Sequence, residues 1–134
     1  MRKILLALTL GVSAVAFAQP NITVTLTSPA ANGTITAGTQ FNFDVLISNT
    51  GTVAVAATDS IIFAPVLNGN FLTSGGNPVI YLDQIAIPVG GSVTVTRPLS
   101  ISGGSSGQVS FCSLTEIWGP LWNVTESDTT DNFP

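Results

Sequence analysis

Thr39 to Gly51, TQFNFDVLISNTG, constrains the fold more than any other stretch of the chain. Phe41, Phe43, Val45 and Ile47 alternate with Asn42, Asp44 and Ser48, the two-residue period of a strand with one buried face, and Leu46 alone interrupts the polar side. Asn49-Thr50-Gly51 closes the run with residues that tolerate the positive φ of a sharp turn. The spacing predicts the central strand of a β-sandwich, with the other strands packed around it.

The rest of the chain repeats this pattern in weaker form. Ile22, Val24 and Leu26 alternate with threonines and predict a first strand ending at Ser28-Pro29, followed by a loop over 30–38. Thr52 to Ala57 is a weak small-residue segment. Ser60 to Leu67 is an apolar run whose Pro65 points to an edge strand or a bulge. Asn68-Gly69 between apolar pairs is a strong hairpin signal, with Ser74 to Pro78 closing that hairpin as a flexible loop. Val79 to Ile87 reads as a strand bent near Asp83-Gln84, and Pro88-Val89-Gly90-Gly91 as the turn of a second hairpin into Ser92 to Ile101. A Gly/Ser loop over 102–107 precedes a last clear strand, Gln108 to Leu114. No helical period competes beyond the first residues. The fold class expected is therefore an all-β, antiparallel sandwich of about seven strands.

The first residues are a different object. Arg2 and Lys3, the apolar run Ile4 to Val15 and Ala16-Phe17-Ala18 have the order of a cleavable secretory signal peptide, so 1–18 are read as a leader and 19–134 as one domain. The apolar run is too short to span a bilayer and no later one is longer, so no membrane span is expected. Without the leader, Arg97 is the one cation against seven carboxylates, a balance that repels phosphate backbones and argues against a nucleic-acid partner. Cys112 has no second cysteine to pair with, and between Phe111 and Leu114 it reads as a small buried hydrophobe.

Three stretches carry a resemblance: the strand ending in Asn49-Thr50-Gly51, Pro88 to Ser92 before Val93-Thr94-Val95-Thr96, and Val124 to Asn132. In this order they resemble the Ig-like modules of bacterial and archaeal surface proteins, of the CARDB type or the related conserved repeat domain with its Asn-Thr-Gly signature. The resemblance implies an Ig-like fold and a spacer, stalk or adhesion role, which is analogy and not a site argument. It also implies a final strand after the late acidic motif. The chain offers only Trp122 to Thr130 for it, so Gln108 to Leu114 is expected to keep a partly open edge through which the domain self-associates.

Chemistry is thinly represented. There is no histidine, no lysine outside the leader and one cysteine, which removes triad, Cys-His and His-ligated metal chemistry. Asp44, Asp59, Asp83 and Glu116 stand singly, as solvated or turn-capping acids do, so no catalytic, cofactor-binding or metal residue and no cofactor is assigned. Glu126, Asp128 and Asp131 with Asn132 put several oxygens in one loop, but lack the ligand order of an EF-hand and read as a solvated tail. Asn21, Asn32 and Asn123 match the glycan acceptor pattern, idle behind a bacterial leader. Arg97 reads as an edge-strand residue paired with a nearby acid.

Two functions fit such a chain. The first is a non-catalytic structural or adhesion module, secreted into the periplasm or held at the cell surface, whose partner is an extracellular protein or envelope component. The alternative is a small carbohydrate-binding module in which Trp118 and Trp122, flanking Gly119-Pro120, stack on a polysaccharide. Against that stands burial of both indoles at the end of the fold.

Overall fold

The computed structural model describes residues 18–29, 38, 40–101 and 107–115. Its regular elements are β1 (Ile22–Ser28), β2 (Gln40–Asn49), β3 (Ile61–Leu67), β4 (Asn70–Phe71), β5 (Thr73–Ser74), β6 (Asn77–Pro78), β7 (Tyr81–Asp83), β8 (Ser92–Ser100) and β9 (Val109–Ser113). The described residues are all-β, with every pairing antiparallel and no helical element among them.

The alternating stretch is indeed central. In the first sheet β2 lies between β1 and β8, and Val45 sits opposite Leu26 on one side and Val95 on the other. All three side chains are buried, so the period-two pattern sets the register: a one-residue slip would turn this row to solvent.

The second sheet is built on β3, which has β9 along one edge and, on the other, β7 followed by β4. Pro65 therefore does not mark an edge strand or a bulge, as its ring suggests from sequence. Even-numbered positions of β3 bond to the β9 side, where the Leu114 amide donates to the Ile62 carbonyl (2.7 Å) and the Asn68 amide to the Gln108 carbonyl (3.0 Å). Odd-numbered positions face the other way, and the Pro65 carbonyl accepts from Leu72 (3.1 Å). The missing Pro65 donor thus points into the gap between the start of β7 at Tyr81 and the end of β4 at Phe71, where no ladder bond is required.

The two sheets share one core. Ile22, Leu26, Phe43, Val45, Ile47, Val95 and Leu99 from the first meet Ile61, Phe63, Val109 and Phe111 from the second. Phe43 packs edge-on against Phe111 at 5.5 Å between ring centroids, and Phe111 continues to Phe63 (6.1 Å) and Tyr81 (6.4 Å). Truncating Phe43 to alanine would open a cavity in the middle of this row, at a cost of about 3–5 kcal/mol.

The turns follow their chemistry in one hairpin and depart from expectation elsewhere. Asn68 and Gly69 both have positive φ (50° and 78°), the conformation that a two-residue hairpin turn needs between right-twisted strands. Gly75 and Gly76 do the same (60° and 84°), so the segment expected as a flexible loop is a second tight hairpin joining β5 to β6. Val79 to Ile87 and Ser92 to Ile101, in contrast, do not form a hairpin. β7 pairs with β3 while β8 pairs with β2, so the chain changes sheets between them. Ile87 makes the crossing by exchanging two backbone bonds with Val55 (2.9 and 3.0 Å), which places Val55, from the weak segment after β2, in the core.

Candidate interaction surface

Most polar groups that stand out in the sequence are committed to holding loops. Asn49 is buried, and of its four side-chain contacts two close its own loop and two reach other segments. Its Oδ1 accepts from the amides of Asn21 (3.1 Å) and Gly51 (3.0 Å), while Nδ2 donates to the carbonyls of Val53 (2.8 Å) and Ile87 (3.4 Å). The backbone adds to this, since the Thr50 amide donates to Asn21 and the Thr52 amide to Gln19. Asn49-Thr50-Gly51 is therefore not the positive-φ turn that its composition suggests, as neither Asn49 nor Gly51 is left-handed. Glycine is required at 51 by proximity: a Cβ there would run into the backbone of Gln19 and Asn21. Asn21 itself is buried and its Nδ2 donates to Thr50 Oγ1 (2.9 Å), a poor place for a glycan.

The acids are similarly occupied. Asp59 caps its own turn by accepting from the Ala56 amide (2.9 Å), and Asp44 accepts from Thr96 Oγ1 across the strand pair (2.7 Å). Asp83, which reads from sequence as a lone solvated or turn-capping acid, is the nearby acid that pairs with Arg97. Among the described residues no three His, Cys, Asp or Glu side chains gather, and no helix is long and apolar enough to cross a membrane. Glu116, the acids of 126–132, both tryptophans, the leader 1–17 and the Trp122 to Thr130 strand lie outside the described residues.

What remains is a face. Side chains of β3 alternate between the shared core and the opposite side of the second sheet, where Ile62, Ala64 and Val66 join Cys112 from β9 and Leu114 just after it in a separate buried cluster. Cross-strand partners share a face, so Leu82 beside Ile62 and Phe71 beside Val66 extend the same surface onto β7 and β4. Its burial is graded. Cys112 and Leu114 are 1% and 5% exposed, whereas Leu82 and Phe71, on the far strands, are 46% and 42% exposed. Burial pushes the Cys112 thiol above its ordinary pKa, more than its contact with the Ala64 carbonyl draws it down.

A cleft of about 270 Å³ opens next to Phe71, walled by Leu72, Val79 and Ile101 with Asn70, Thr73 and Ser100 as its polar residues. No titratable group among the described residues lines it. Sequence reasoning missed Phe71 and Leu82 because strands of two and three residues are too short to show a period.

Comparison with protein-family models, curated proteins and solved structures returns no match to this chain.

Proposed function

We propose that residues 19–134 form an Ig-like β-sandwich, resembling the CARDB-type and conserved-repeat modules, that is exported behind the leader 1–18. It acts as a non-catalytic structural or adhesion module outside the cytoplasm and binds an extracellular protein or envelope component. Two antiparallel sheets on one core support the sandwich. The observation that carries the function is the exposed half of the outer face, where Phe71 and Leu82 are both largely exposed and Phe71 borders a cleft with no titratable group among its described lining residues. Large apolar side chains presented on a sheet face, with the surrounding polar groups tied up in loops, suit passive recognition and not bond-breaking.

The test is binding of the purified mature chain to cell-envelope fractions and to polysaccharides, compared with Phe71→Ser/Leu82→Ser and with a Val53→Ser/Val89→Ser control. The exposed substitutions should leave folding intact. Loss of envelope binding in the first variant alone is the expected result. Equal binding by all three, or binding to polysaccharide that depends on Trp118 and Trp122, would overturn the reading.

A further inference from the structure

Strand β8 is an edge of the first sheet, and its two halves are edges of different kinds. The Asn49 amide donates to the Gly91 carbonyl (3.0 Å), continuing the register that sets Ile47 against Val93 and Val45 against Val95, so odd-numbered residues of β8 turn their backbone groups to β2. Even-numbered ones turn theirs outward. Over 97–100 that outer edge is blocked. Pro98 has no N–H and its carbonyl accepts from the Tyr81 hydroxyl (2.8 Å), while Arg97 donates from Nη1 to the Thr96 carbonyl (3.0 Å) and from Nη2 to Asp83. Over 92–96 nothing comparable protects it. No described residue bonds to the amides of Ser92, Thr94 and Thr96 or to the carbonyls of Ser92 and Thr94, and all three side chains are exposed.

The open half is complementary to itself. Ser92-Val93-Thr94-Val95-Thr96 alternates hydroxyl and apolar side chains about Thr94, so the pattern is the same in both directions. Set antiparallel to a second copy with Thr94 opposite Thr94, it places Val93 opposite Val95 and Ser92 opposite Thr96. The two Thr94 residues then exchange both backbone bonds, and each Ser92–Thr96 pair exchanges two more, since the Thr96 carbonyl has a second lone pair beside the one that Arg97 uses. Valine meets valine on the core side, where Val95 is buried and Val93 half-buried, and hydroxyl meets hydroxyl on the solvent side, a favourable cross-strand pairing. Arg97 and Pro98 fall opposite Gly91 and Gly90 of the second copy, which have no side chains to clash with them. No charged side chain stands within 92–96, so no like charges face each other there.

We propose that two copies of the chain join edge to edge at Ser92 to Thr96, about a two-fold axis through Thr94, so that the three-stranded first sheets merge into one sheet of six strands. The contact is one short strand from each copy, smaller than a standard stable interface, so the dimer forms at high protein concentration and dissociates on dilution. Without the leader each copy carries one cation and seven carboxylates, so the two repel at a distance and added salt strengthens the pairing. Neither Phe71 nor Leu82 takes part, so the dimer stands apart from the function proposed above.

Analytical ultracentrifugation of the mature chain from about 10 μM to about 1 mM should show monomer passing into dimer, with a dissociation constant that falls at least threefold between about 0.01 and 0.3 M salt. Thr94→Glu sets two carboxylates against each other across the axis, and Thr94→Pro removes a donor that β2 does not use. Each should weaken the dimer at least tenfold while the β-sheet circular dichroism is kept. Hydrogen exchange needs no substitution: the Thr94 and Thr96 amides should exchange more slowly as concentration rises, while that of Val95, already bonded to β2, stays unchanged. Three results would overturn the proposal: a monomer at every concentration, a dimer that Thr94→Glu leaves intact, which would place the contact on another surface, or slow exchange at Thr94 whatever the concentration, which would mean that the same chain covers the edge.

Discussion

Arg97 on β8 donates from Nη2 to Oδ1 of Asp83 on β7, so an ion pair joins the first sheet to the second. Next to it the Tyr81 hydroxyl donates to the Pro98 carbonyl (2.8 Å), a second polar tie between the same two strands. The Asp83 side chain is only 11% exposed, so removing its partner leaves a carboxylate that water solvates poorly. Arg97→Ala should cost about 1–2 kcal/mol, more than an exposed pair would. Urea unfolding of Arg97→Ala, Asp83→Asn and the double variant checks this. A coupling energy near zero would mean that the pair holds nothing.

Asn49→Ala removes two acceptor contacts and two donor contacts, and those to the Asn21 amide and the Ile87 carbonyl are buried. The expected loss is on the order of 2–4 kcal/mol, read as a lower urea midpoint with an unchanged slope. A loss below about 1 kcal/mol would show that the loops hold without the amide.

Gly51→Ala is expected to free the N-terminal segment before it unfolds the domain. The new methyl group meets the backbone of Gln19 and Asn21, which no rotamer change can relieve. Hydrogen exchange should accelerate at Thr50 and Thr52, whose amides bond to that segment, and stay slow at Val45 and Ile47. Uniform acceleration would count against a local role.

Alkali should destabilise the fold in two steps. Burial raises the Cys112 thiol, and it raises the Tyr81 phenol against the opposing pull of Arg97. For an acid whose folded pKa is raised, the unfolded chain gives up its proton first, so stability is flat below the ordinary pKa and falls as pH rises past it. The decline should begin near pH 9, the ordinary thiol value, and steepen near pH 10, the ordinary phenol value. Melting temperatures of the native chain and Cys112→Ala across this range test it. The variant should lack the first step.

Strand β2 is legible in the sequence because one of its faces is buried and the other is not, which is what makes a two-residue period visible. The Asn68-Gly69 turn is legible because few other conformations suit that pair. The change of sheet between β7 and β8 is not, since Pro88 to Gly91 would look the same in a hairpin. The covered outer face is hidden for a related reason: an apolar run buried on both sides has no period. Asn49 stands out in the sequence for its tolerance of positive φ, when its four-way amide is what the fold uses.

The two-sided burial of β3 has one more consequence. Shifting this strand by one residue would exchange Ile61 and Phe63 for Ile62 and Ala64, leaving both faces apolar, so hydrophobicity discriminates weakly between the native pairing and its slipped neighbour. Two local features discriminate instead. Pro65 can stand only where no ladder donor is needed, and a slip would turn its ring toward β9. Asn68-Gly69 fixes which residues face each other across the turn, with Leu67 opposite Asn70. In the strand with the most apolar surface, alignment is thus set by a proline that donates nothing and a turn of two residues.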